Sequence, residues 1–145
     1  MEDALTAQST DTDISTLNAL SHLLAGQIAR LDEALDLVTD AEVQQIIIHA
    51  QRFREDALDR IRGRIRYLGR LPVPLPEEPR PTMGPEDVDN DEALDDLLDG
   101  ENELCEQFKK SVDDQELMPN TRHFLRDILD RLAPSTPRPG MSWVH

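Results

Sequence analysis

Eight residues recur in altered form along this chain. Leu20-Ser-His-Leu-Leu-Ala-Gly-Gln27 and Leu94-Asp-Asp-Leu-Leu-Asp-Gly-Glu101 both read L-x-x-L-L-x-G-(Q/E), at an offset of 74 residues. At the same offset Leu31 matches Cys105, Ala34 matches Phe108 and Val38 matches Val112. Each copy sits in the first half of an apolar-periodic run. A repeat of this kind marks a duplicated supersecondary unit, and a single such unit cannot bury its apolar face alone. The unit here is a helical hairpin. The spacing predicts an all-α four-helix bundle of two antiparallel hairpins, joined by a Pro-rich acidic crossover and closed by a short fourth helix.

The first helix is expected from about Asp13 to about Val38, after a loose N-terminal stretch over 1–12. Leu17, Leu20, Leu24, Gln27, Leu31, Ala34 and Val38 alternate spacings of three and four, an inward stripe that is apolar except at Gln27. Thr39-Asp40 makes a short break with Asp40 as the N-cap of a second helix, from Ala41 to about Leu68. So short a connection favours an antiparallel neighbour. The stripe read on the second helix is Val43, Ile46, Ala50, Phe53, Ala57, Ile61, Ile65 and Leu68, with Gly69 at its C-terminal end. Its other faces are rich in arginine. Arg60, Arg62, Arg64, Arg66 and Arg70 read either as a solvated face that complements the helix dipole or as an interaction surface for an acidic partner or segment.

Residues 72–85 hold six of the ten prolines and cannot be helical throughout. The crossover is set at 70–90; within it Pro76-Glu-Glu-Pro79 matches a weak PxxP pattern. From Glu77 to Glu103 there are twelve acidic residues and one basic residue, Arg80, and part of this run is expected near the second-helix arginines. The third helix is placed from about Asp91 to Asp114, with Leu94, Leu98, Glu101, Cys105, Phe108 and Val112 inward. The fourth runs from about Thr121 to Leu132, using Phe124, Leu125, Ile128, Leu129 and Leu132. The bundle is thus bounded at 13–132. A Pro-rich tail follows over 133–145, and its Trp143 is expected to fold back over the part of the second helix that the short fourth helix leaves open.

Composition narrows the function. The formal charge of −15 works against binding nucleic acid or an anionic membrane, both of which reward basic surface. A single cysteine allows no intrachain disulfide and fits a reducing, cytoplasmic setting. The first residues, Met-Glu-Asp-Ala-Leu-Thr, show neither the basic region nor the apolar core of a signal peptide. No apolar run approaches the roughly 18–20 residues of a membrane span. There is no phosphate-binding glycine loop, nucleophile elbow or zinc pattern. His22, His49, His123 and His145 lack the helical spacing of paired metal ligands, and Cys105 has no partner for nucleophilic catalysis.

Gln27 and Glu101 are the candidate site. An unpartnered buried amide costs about 1–3 kcal/mol and a carboxylate more, so two polar residues at matching points of a repeat are expected to compensate each other. Gln27 donating to Glu101, with Arg131 as a further partner, is the expected core polar pair.

Two hairpins with a polar residue inside each first helix resemble the ferritin-like four-helix bundles. Asp40-Ala-Glu-Val, Ala50-Gln51 and Leu68-Gly69-Arg-Leu-Pro72 are most similar to small bacterial members of unknown function. The resemblance covers residues 14–132. Its di-iron members carry a Glu on each first helix and Glu-x-x-His on each second helix. Carried over, Gln27 stands at the first Glu position and Glu101 keeps the other; Phe53 and Asp56 fall at the Glu and His positions of the second helix, and Arg131 and Pro134 at those of the fourth. The resemblance therefore implies a degenerate metal site reduced to Glu101 and Asp56. The expectation is a non-catalytic protein-interaction or structural module without a cofactor, binding a protein partner or itself as a homodimer. Two alternatives stand beside it: a divergent bundle that binds iron or another divalent metal, including an oxidoreductase, and an acidic decoy of a basic binding surface.

Overall fold

The computed structural model describes residues 2–75 and 90–135, with side chains described over 10–75 and 97–132. Four helices follow one another: α1 (Glu2–Leu37), α2 (Ala41–Tyr67), α3 (Asn90–Asp113) and α4 (Pro119–Ser135). They form the all-α bundle read from the repeat. The fourth helix is the shortest, at 17 residues against 27 for α2. The PxxP stretch, residues 77–89 of the acidic run and the Trp143 tail lie outside the described residues.

Each hairpin is closed by local chemistry. Asp40 adopts an extended backbone and its side chain accepts from the amides of Glu42 and Val43, capping α2. The amide of Gln44 donates back to the Val38 carbonyl at 2.7 Å, so one α2 side chain covers the open end of α1. At the far end of α2, Gly69 takes φ 90°, a conformation that favours glycine. This lets the Gly69 amide reach the Arg66 carbonyl and the Arg70 amide reach the Ile65 carbonyl, the double bond of a Schellman stop.

α1 packs on α2 and α3, and α4 packs on α3 and α2. The part of α1 up to Leu24 shares its core with the C-terminal halves of α2 and α3 and with α4: Leu17, Leu24, Ile61, Ile65, Phe108, Leu125 and Ile128 meet there. The other end joins the C-terminal half of α1 to the starts of α2 and α3 through Leu31, Ala34, Val38, Val43, Ile47, Ala50 and Leu97. Consequently α2 and α3 run parallel, and the crossover must carry the chain from one end of the bundle to the other.

Three expectations are corrected. α1 begins at Glu2, not near Asp13, because extending an already packed helix costs little per residue compared with nucleating one. α2 turns Ile47 and Arg54 inward and leaves Ile46 and Phe53 half-buried. α3 likewise buries Leu97 and Leu104, with Leu98 and Cys105 half-buried. Val43, Ala50, Ala57, Ile61 and Ile65 on α2 and Glu101, Phe108 and Val112 on α3 are buried as read, and each departure is a shift to the adjacent residue. On α2 the departure sets Arg54 opposite Glu101, which the third-helix stripe already places inward.

Candidate functional site

The two apolar clusters are separated by a polar layer one residue deep. On α1 it falls at Gln27, between Leu24 and Leu31. On α2 it is Arg54, between Ala50 and Ala57. On α3 it is Glu101, between Leu97 and Leu104. Arg54 and Glu101 are wholly buried and Gln27 is 2% exposed.

Arg54 donates from Nε to both carboxylate oxygens of Glu101, at 3.1 and 3.3 Å, and from Nη2 to Oε2 at 2.7 Å. Its Nη1 donates to the Ala50 carbonyl one turn back. A guanidinium stays charged in proteins and presents its donors in a planar fork that suits a carboxylate. Gln27 does not reach Glu101. Its Nε2 donates to the Leu97 carbonyl at 3.1 Å, and its Oε1 accepts from Arg30 Nη1 at 3.4 Å. The expected Gln27–Glu101 hydrogen bond is therefore replaced by two separate solutions, because a buried carboxylate is better matched by a cation than by an amide. Arg131, the further partner expected for this pair, is exposed on α4.

Gly100 allows the close approach of α1 and α3 at this level. A Cβ there would clash with Gln27 Oε1 and Arg30 Nη1. The glycine of the second repeat copy thus has a packing role beside the polar residue that follows it.

The remaining candidates lie apart from this layer. Asp56 is exposed and does not join Glu101. Phe53 is half-buried against the ring of His49, centroids 5.0 Å apart in an edge-on arrangement. His22, His49 and His123 are exposed on three different helices, and His145 is outside the described residues. Among the described residues no group of three or more His, Cys, Asp or Glu side chains is placed to hold a metal ion. The residues around Glu101 do not fit one either: the carboxylate already faces a buried guanidinium, whose positive charge opposes a second cation. Also among the described residues, no helix is long and apolar enough to cross a membrane.

The arginines of α2 divide by neighbour. Arg60 pairs with Asp127 of α4 at 3.1 Å and holds that carboxyl below its ordinary value through the hydrogen bond. Arg60 and Arg64 each place their guanidinium carbon 5.7 Å from the centre of the Phe124 ring, and Arg64 also lies 4.8 Å from that of Tyr67. Arg62 donates to the Val73 carbonyl, and Arg70 pairs with Asp11. Arg66 is exposed.

Sequence reasoning missed two functional placements. Arg54 is absent from the inward positions read on the second helix, because hydropathy favours its neighbour Phe53 for the core. Asp13 was read as a helix start. It is instead a buried mid-helix acceptor that takes the Met118 amide and the Thr121 hydroxyl, capping α4 from α1. No protein-family model, characterised protein or solved structure matches the chain.

Proposed function

We propose that this protein is a non-catalytic helical bundle of ferritin-like layout that acts by binding another protein. The observation that carries the reading is Arg54. At the level where a di-iron bundle needs carboxylates and imidazoles around an open position, this chain sets a guanidinium against the buried Glu101 carboxylate. The layer is internally paired, and it holds the helices in register. Chemistry on a bound substrate has no group to start from there. What the fold offers to the outside is surface, and its most distinctive surface is the arginine-rich end of α2.

The metal-binding alternative is tested by thermal melts with and without Fe(II), Mn(II) and Zn(II), on the wild type and Glu101→Gln. The expected result is the same metal response, near zero, in both proteins. A metal-dependent rise in the wild-type midpoint that Glu101→Gln removes would overturn the reading, since a ligand that binds only the folded state must stabilise it.

A further inference from the structure

Resting on that reading, we propose that the C-terminal end of α2 and the segment after it form a docking site for an acidic peptide segment of a partner protein, one that also carries apolar side chains. Four observations lead there.

The first is charge. Between Arg60 and Arg70 there are five arginines and no acidic residue, in a chain whose formal charge is −15. The second is apolar exposure in the same place. Among the described residues, the exposed large hydrophobic side chains are Tyr67 at 76%, Leu71 at 87% and Val73 at 46%. They interleave with Arg66 and Arg70. Scattered single apolar residues on a surface need no explanation, but three within seven positions, set among cations, make a mixed patch.

The third is order. The segment is tied down where it leaves α2: Val73 donates its amide to Asn18 Oδ1, its carbonyl accepts from Arg62, and Arg70 meets Asp11. The exposed side chains are thus presented on a backbone whose shape is already set, and a partner loses less freedom in binding a surface that is pre-organised.

The fourth is topology. The acidic start of α3 is the obvious internal partner for these arginines, but it lies at the opposite end of the bundle. Glu101 is level with Arg54, and Arg66 is twelve residues further along α2, about 18 Å along the axis. That exceeds the Debye length of about 8 Å at physiological salt, so the acidic residues that open α3, over 91–99, do not neutralise the patch. The expectation that part of the acidic run meets the α2 arginines holds at Glu101 and Arg54, whereas the acidic opening turns of α3 lie away from Arg60–Arg70.

A short acidic segment fits this patch better than a polyanion does. Nucleic acids and anionic bilayers extend well past it, over surfaces where Asp11, Asp59 and the rest of the acidic chain repel them. Arg60 already shows the chemistry in miniature, holding the Asp127 carboxylate while it lies near the Phe124 ring.

The test is fluorescence anisotropy on the full chain. The probe is a short fluorescein-labelled peptide rich in Glu with one Phe and one Leu, set against an equal-length peptide with Gln for Glu. The Glu peptide is expected to bind more tightly and to weaken as salt is raised. Arg66→Glu should weaken it about tenfold and Leu71→Ser severalfold, with the melting midpoint unchanged by Leu71→Ser and lowered by no more than about 5 °C by Arg66→Glu, which loses only its favourable place at the end of the α2 dipole. Equal binding of the two peptides, or indifference to Arg66→Glu and Leu71→Ser, overturns the proposal. So does tighter binding of single-stranded DNA or anionic vesicles than of the peptide. Self-association in light scattering that Arg66→Glu abolishes, with no peptide binding, assigns the surface to a second copy and also overturns it. None of these results depends on metal, so failure here leaves the non-catalytic reading standing, and a metal response leaves this site standing.

Discussion

Replacing Glu101 by leucine should be among the most damaging single changes in the chain, and replacing its partner as well should undo most of the damage. In the folded protein the Glu101 carboxylate takes two of the three donor groups of Arg54, Nε and Nη2, while Nη1 keeps the Ala50 carbonyl. Glu101→Leu leaves a charged guanidinium wholly buried, with two of those groups deprived of this acceptor. Breaking a buried pair from one side costs about 3–5 kcal/mol. A chain of this size shifts its midpoint by roughly 2–5 °C per kcal/mol, so a fall of about 6–25 °C is expected. The double variant Arg54→Leu with Glu101→Leu removes both charges and joins the two apolar clusters. Exchanges of that kind range from neutral to about 1–4 kcal/mol stabilising. The assay is a double-mutant cycle in urea and thermal melts followed by circular dichroism. A Glu101→Leu loss below about 1 kcal/mol would refute the reasoning, as would a double variant no more stable than the single one. Replacing Gln27 and Glu101 together is the less informative change, because it still strands Arg54.

Three further outcomes are expected. Gly100→Ala should destabilise by roughly 1–3 kcal/mol, since its Cβ meets the buried Gln27 amide, whereas Gly63→Ala, with open space around it, should gain about 0.5–1 kcal/mol; paired urea melts compare the two. Asp13→Ala removes the acceptor for Met118 and Thr121 at the start of α4 and should cost about 1–3 kcal/mol, with faster amide exchange in the first turn of α4 as the local readout. Arg60 lowers the Asp127 carboxyl, so the stabilisation from their contact is present above the ordinary carboxyl value of 3.8 and is lost as pH falls through the lower folded value. The stability difference between wild type and Asp127→Asn, measured in urea melts, should therefore shrink on acidification.

Much of this bundle is written in spacing. The repeat, the Asp40 cap, the Gly69 stop and the inward set of α1 are all local, and each appears where periodicity places it. The two polar positions Gln27 and Glu101 were legible for the same reason. Arg54 was not. On α2 the series through Ile46 and Phe53 and the series through Ile47 and Arg54 are equally regular, so periodicity cannot separate them and hydropathy selects the wrong one. The deciding fact is not on α2 at all. A buried carboxylate 47 positions away needs a cation, and Arg54 is the residue of α2 at its level. Asp13 escaped for a similar reason: it serves a helix 105 positions downstream of it, measured to Met118. Chemistry that is paired across the fold leaves only half of its reason in any one stretch of chain.

The layer also tells the two hairpins apart. The repeat makes them look alike, and look-alike hairpins invite mistaken partnership, first with first or second with second. Two first hairpins brought together would set Arg54 against Arg54 in an apolar interior. Two second hairpins would do the same with Glu101. Only the unlike combination cancels charge. With an uncharged amide in both copies Arg54 would meet no carboxylate in any pairing, so the divergence of Gln27 from Glu101 is what gives each half of the molecule an identity that the other half can recognise.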